Sequence, residues 1–292
     1  MIKTGIYYAY WTSDWNADFI PYIKKVKKLG FDVLEVNAGT ISSMTPQKQT
    51  DFRNAALDEE IELSCCIGLP SSSDIASDDK NIRRAGIKHL GSIAEAMDCC
   101  GIKKLSGIIY SSWPGKLEGR KITKDKARDL SIESMKEAVK KAEDLGLIYN
   151  VEVVNRFEQF ILNTAAEACA YIDDVGSPNL KILLDTFHMN IEEESMSDAI
   201  LTAGEKLGHF HLGENNRKPP GLGKLPWNEI FSTLNMIDYD GWVVMEPFLR
   251  PGGEVGRDIS VYRDIMPGAD LDKEAERSCS FINRTIKKAY SV

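Results

Sequence analysis

Four apolar runs of strand length each carry, at or near their end, a side chain that a divalent metal accepts. Ile148 to Arg156 (IYNVEVVNR) holds Glu152, Lys181 to His188 (KILLDTFH) holds Asp185, Gly208 to Glu214 (GHFHLGE) holds His211, and Trp242 to Phe248 (WVVMEPF) holds Glu246. Side chains alternate along a strand, so His209 and His211 share a face, with His211 nearer the carboxyl edge; one of the two is expected to be a ligand. Taken singly, each of the four residues is about as well explained as a buried polar group satisfied by its neighbours. Taken together they are not, because three carboxylates repel one another without a cation, and burying unpaired charge costs several kcal/mol. Two Glu, one Asp and one His form an oxygen-rich set with one nitrogen. Such a set suits Mn²⁺, Co²⁺ or Mg²⁺ better than a structural zinc, whose sites favour thiolates.

For these groups to meet, four strand ends must lie at one edge of one sheet. Ile2 to Tyr10, Phe31 to Asn37, Ile61 to Ile67 and Lys104 to Tyr110 add four further β-branched and aromatic runs, which makes eight candidate strands. Helical patterns lie between them, at Asp18 to Lys28, about Thr45 to Asp58, Asn81 to Cys100, Lys124 to Leu145, Asn163 to Asp173, Met196 to Leu201, Trp227 to Asn235 and Lys273 to Lys288. Gly30, Gly101 and Gly146 each fall just past a helix end, where a left-handed cap is wanted. Regular βα alternation predicts an α/β fold, a single (β/α)₈ TIM barrel over residues 1–292 with its chemistry at the carboxyl ends of the strands. A doubly wound open sheet is the alternative architecture.

Bulk composition excludes several function classes. A formal net charge of −8 argues against a nucleic-acid partner, because phosphate binding needs a surplus of Lys and Arg on one face. The amino terminus MIKTGIYY runs straight into a strand pattern, with no signal-peptide signature and no apolar stretch of membrane-spanning length, so a cytoplasmic protein with no membrane partner is expected. Six cysteines include the vicinal pairs Cys65/Cys66 and Cys99/Cys100 and no CxxC spacing. They read as reduced, mostly buried small apolar residues. Gly252, Gly253 and the stretch Gly221-Leu222-Gly223 lack phosphate-loop spacing and read as turns.

GIYYAYW (Gly5 to Trp11), EVVNRFE (Glu152 to Glu158), LDTFHMNIEE (Leu184 to Glu193), GHFHLGENNRKPPGLGKLPW (Gly208 to Trp227) and VMEPF (Val244 to Phe248) follow in order at successive strand ends. In these segments, and over nearly its whole length, the chain resembles the D-tagatose 3-epimerase and D-psicose (D-allulose) 3-epimerase family of ketose 3-epimerases. The resemblance implies a xylose-isomerase-like barrel, a homodimer or homotetramer, that uses one Mn²⁺ or Co²⁺ per subunit, with Mg²⁺ an option, to invert C3 of a free ketose. It also implies that Glu152, Asp185, His211 and Glu246 hold the metal and that Glu152 and Glu246 exchange the C3 proton. By the same likeness Glu158, His188 and Arg217 hold the ketose oxygens around C1 to C3, and Tyr7, Trp15, Trp113 and Phe248 form an aromatic wall. Gly68 and Ile108 are assigned to the same pocket.

Inverting a carbon beside a carbonyl means removing its hydrogen, passing through a planar enediolate and returning a proton to the opposite face. Two carboxylates on opposite sides of the sugar do this with an acid and a base whose roles swap with direction, and a metal at O2 and O3 would stabilise the charge that develops. Glu158 and His188 are expected to orient one another. The chain departs from the family in Ser106-Gly107-Ile108, where members usually carry adjacent glycines and a small residue, and in Leu212, where Thr is common. Preference among D-psicose, D-tagatose, D-fructose and L-ribulose therefore stays open. Rival readings are a metal-dependent aldose–ketose isomerase of the same superfamily, a sugar-binding protein with no second base, and an endonuclease of related form, which four histidines in an acidic chain disfavour.

Overall fold

In a computed structural model, which describes residues 2–291, the eight apolar runs become eight parallel strands that close into a barrel. They are β1 Lys3–Tyr7, β2 Val33–Asn37, β3 Glu62–Cys66, β4 Lys104–Gly107, β5 Ile148–Val153, β6 Leu180–Asp185, β7 Leu207–Leu212 and β8 Trp242–Met245. Neighbours in sequence are neighbours in the sheet, and β8 pairs with β1, setting Val244 beside Gly5, so no strand edge is left open. The open-sheet alternative is thereby excluded.

The outer layer consists of α1 Ile20–Lys28, α2 Ala38–Ser43, α3 Pro46–Asp58, α4 Lys80–Cys99, α5 Lys124–Leu145, α6 Ala165–Val175, α7 Thr186–Glu192, α8 Met196–Ala203, α9 Trp227–Met236, α10 Gly253–Asp258 and α11 Leu271–Ala289. Thr45, Thr123, Thr164 and Ser195 each accept the N–H three residues on, which stops the chain before the first turn of α3, α5, α6 and α8. Left-handed backbone follows α1, α4 and α5 at Gly30, Gly101 and Gly146, as the sequence implies. Three short helices, α2, α7 and α10, were not legible as helices. Each begins within eight residues of a strand end, at the rim of the barrel.

Several strands are shorter than their apolar runs. The run from Ile2 leaves the sheet after Tyr7 and turns through a 3₁₀ segment at Tyr8–Tyr10, and both tyrosines are fully buried under the neighbouring helices. Here hydrophobicity marked burial, not β structure. β6 likewise ends at Asp185 and passes directly into α7, so His188, at the end of the run read as a strand, lies on a helix. Gly252 and Gly253, read as turns, lead into α10.

Inside the barrel, beneath its carboxyl end, a polar layer interrupts the apolar core. Glu35, Ser64, Ser106, Asn150 and His209, from β2, β3, β4, β5 and β7, are all fully buried. Ser64 donates to Glu35 at 2.7 Å and Asn150 to Ser106 at 3.2 Å. No helix among the described residues is long and apolar enough to cross a membrane. All six cysteines are free; Cys65, Cys66, Cys100 and Cys279 are buried, while Cys99 is exposed and Cys169 half-buried.

Candidate active site

Consecutive strands deliver one polar group each to the carboxyl rim. Ligand atoms of Glu152, Asp185, His211 and Glu246 all lie within 4.8 Å of one another, and all four residues are buried. Asp185 closes β6 and opens α7: its Oδ1 accepts the Phe187 N–H at 2.6 Å. His211 is held from below, because its Nε2 lies 2.6 Å from Glu35 Oε1. That pairing leaves Nδ1 buried with no hydrogen-bond partner, 3.8 Å from Glu152 Oε1 and 3.7 Å from Glu246 Oε2. A lone pair ringed by carboxylate oxygens at that spacing is a place for a cation.

The electrostatics agree. Burial pushes the Glu246 carboxyl well above its ordinary range, and the charges of Glu152 and Asp185 push it further against the opposing pull of His211 and Arg217. Burial pulls His211 down, but Glu35, Glu246 and Glu152 outweigh it and raise the imidazole well above its usual value. Without a cation, protons must neutralise this cluster. Cys66 comes close to Glu35 and His211 as well, but burial, then Glu152 and Glu35, keep its thiol well above the ordinary thiol range, and His211 Nε2 is already committed. His209 packs edge-on beneath His211, at 5.1 Å between ring centres. Its Nε2 comes within 2.9 Å of Glu35 without the alignment of a hydrogen bond, and burial lowers its pKa despite Glu35. Only His211 joins the cluster.

Above the cluster, Glu152, His188, Arg217 and Glu246 line a cavity of about 350 Å³ together with Tyr7, Trp15, Gly68, Ile108, Trp113, Glu158 and Phe248. Every residue the sequence singled out for the pocket therefore reaches it. Glu158 and His188 do not touch each other as expected; Asn155 joins them, its Nδ2 2.8 Å from His188 Nδ1 and 3.1 Å from Glu158 Oε1. The Asn155 backbone N–H also points at His188 Nδ1, at 3.3 Å. With Nδ1 accepting twice, the ring proton sits on Nε2, which faces Glu152 at 3.9 Å and Asp185 at 4.0 Å. The 3.4 Å approach of Arg217 to that nitrogen then brings two donors together, both aimed into the cavity. Arg217 lies between the rings of Phe187 and Phe248, at 4.3 and 4.9 Å, and its backbone is left-handed. Glu158 takes the Trp113 indole N–H at 3.0 Å; burial would raise its pKa, but Arg217 and His188 pull it below the ordinary range.

A family model described as a xylose isomerase-like TIM barrel matches residues 23–282. The D-psicose 3-epimerase of Agrobacterium fabrum is 44% identical over 285 residues, covering 96% of this chain and 98% of the relative. The chain belongs to the D-psicose and D-tagatose 3-epimerase family. It is a carbohydrate epimerase. A crystal structure of D-psicose 3-epimerase in the presence of D-fructose superposes on this epimerase with a TM-score of 0.95 at 42% identity, covering 98% of this chain and 99% of that one. A D-psicose 3-epimerase structure with D-tagatose from Clostridium cellulolyticum gives the same TM-score at 41% identity, with coverage of 98% and 99%.

Sequence reasoning passed over several residues that the epimerase brings to its site. Glu35 was legible in principle, as a lone carboxylate inside the apolar run VLEVN. Asn155 was not, because an Asn beside a strand end looks like turn chemistry. Asp258, on α10, holds the Trp15 indole N–H at 2.8 Å and lines the cavity with Ile259, Asn37, Cys66 and Pro70. Glu214, at the end of an expected strand, is fully buried and gathers the Gly221 and Leu225 N–H groups and the Trp227 indole, which folds the loop that carries Arg217.

Proposed function

We propose that this epimerase inverts C3 of free ketohexoses, interconverting D-fructose with D-psicose and D-tagatose with D-sorbose, through an enediolate with Glu152 and Glu246 as the paired acid and base. The observation that carries it is the geometry of those two carboxylates. Glu152 stands on β5 and Glu246 immediately past β8; they flank the partnerless His211 nitrogen at 3.8 and 3.7 Å and open into the same cavity. The names of the relatives, D-psicose 3-epimerases with structures obtained with D-fructose and with D-tagatose, support the substrate class.

One carboxylate removes the C3 proton, the C3–H electron pair moves into the C2–C3 bond, and the carbonyl electrons move onto O2. The other carboxyl then returns a proton to C3 from the opposite face, and the carbonyl reforms. Glu152, Asp185, His211 and Glu246 would hold a divalent cation, Mn²⁺ or Co²⁺ with Mg²⁺ an option, which would supply positive charge to stabilise developing negative charge on the substrate. Arg217, the Nε2–H of His188 and Glu158 grip the hydroxyls near the reacting carbon. Tyr7, Trp15, Trp113 and Phe248 cover the apolar side of the sugar, with Gly68 and Ile108 at its far end. Trp15 meets Trp113 and Phe248 edge-on at 6.2 and 6.3 Å, which closes that wall. A homodimer or homotetramer in the cytoplasm, as one domain, completes the reading.

Glu152→Gln and Glu246→Gln should each abolish steady-state epimerisation, while one of the two still exchanges the hydrogen on a single face of C3 for deuterium. Metal content is measured alongside. A variant that keeps its metal and turns over at the wild-type rate removes that residue from the reaction.

A further inference from the structure

We infer that Asp74, outside the cavity, is a positioning residue for sugar binding, acting through Trp113. Asp74 lies in the loop between β3 and α4, is buried, and does not line the cavity. Its carboxylate accepts five hydrogen bonds. Oδ1 takes the Ala76 N–H at 2.9 Å, the Ser111 hydroxyl at 3.0 Å and the Ser112 N–H at 3.1 Å; Oδ2 takes the Ser112 hydroxyl at 3.2 Å and Arg120 at 2.7 Å. Four of the five come from the segment that leaves β4 and carries Trp113.

The loop holding Asp74 is itself anchored, since α4 presses on it so closely that a Cβ on Gly86 would lie 2.3 Å from the Ser73 carbonyl. Trp113 follows Ser112 directly. Its backbone N–H is bound to the Leu69 carbonyl at 2.7 Å, and its side chain covers Gly68 so tightly that a Cβ there would meet Trp113 Cβ at 2.7 Å. From that position the indole N–H reaches Glu158. One buried carboxylate thus ties the loops after β3 and β4 together and sets the ring that walls the cavity. Because the wall would hold the sugar by apolar contact that is the same in substrate and transition state, its loss weakens both alike.

The proposal rests on the ketose reading above. The test is steady-state kinetics of metal-loaded wild type, Asp74→Asn, Trp113→Phe and the double variant on D-fructose, with Mn²⁺ affinity and Tm measured in parallel. Turnover by wild type in the same assay separates failure of this proposal from failure of the reading beneath it. Asp74→Asn should raise KM about tenfold, leave kcat within about twofold and leave Mn²⁺ affinity unchanged. The KM effect should largely vanish in the Trp113→Phe background, since both changes act on one ring. If Asp74→Asn does not fold, Arg120→Gln, which removes one of the five bonds, takes its place with a smaller KM rise in the same direction. An unchanged KM in the variant that folds, a fall confined to kcat, or an effect undiminished without Trp113 overturns the assignment.

Discussion

At the scale of single residues, the site is organised by which atoms already have partners. His211 has one nitrogen tied to Glu35 and the other left without a partner, so Glu35 fixes the face that the imidazole turns toward the cluster. A carboxylate behind a metal-binding histidine sets its tautomer and raises its basicity. Glu35→Gln keeps the shape but removes the charge, and it should weaken Mn²⁺ binding by about 10- to 100-fold as measured by calorimetry. Unchanged affinity would mean that His211 is oriented by barrel packing alone. Glu35 itself is held ionised despite full burial, because His209 and His211 outweigh the burial that would raise it.

At the scale of elements, the strand ends decide which side chains reach the cavity. β4 stops at Gly107, whose φ of 113° is closed to most side chains and whose Cβ would lie 2.2 Å from the Ile67 carbonyl. The turn there brings Ile108 onto the cavity wall. Ile108→Ala should change the ratio of kcat/KM for D-psicose over L-ribulose by about tenfold, in line with roughly 1–3 kcal/mol for a small mismatch of pocket volume. Metal affinity should stay put, and a ratio constant within about twofold would mean that Ile108 does not touch the sugar. The barrel order and the four clustered residues were legible because continuous apolar runs of strand length report buried parallel strands, and a polar residue ending one is conspicuous. The short helices α2, α7 and α10 were not, since six or seven residues are too few to show a helical period, and the run read as a strand before α7 continues into it. Asn155 and Asp258 escaped for a related reason: each acts through a partner distant in sequence, His188 and Trp15, which no local pattern encodes.

At the scale of the whole molecule, the open end of the barrel gathers three acids whose mutual repulsion the folded chain must tolerate. A cation bound there stabilises the native state alone, so chelation should lower Tm as well as abolish turnover, and Mn²⁺ or Co²⁺ should restore both. The pH dependence follows from Glu246. Its folded pKa is raised, so its contribution to stability is fully present below the ordinary carboxylate range and is lost as pH rises through the raised value. The metal-free protein should therefore lose stability as pH rises above the ordinary carboxylate range, and the gain in Tm from added Mn²⁺ should grow with it. Full activity and unchanged Tm in excess chelator would remove the metal from the account. Whether the paired carboxylates work on C3 is decided by incubating metal-loaded protein with D-fructose in deuterated water and following the carbons by NMR. D-psicose should form with deuterium entering at C3 alone; deuterium at C1 with an aldose product, or a ketose recovered without exchange, would rule out carboxylates acting on C3.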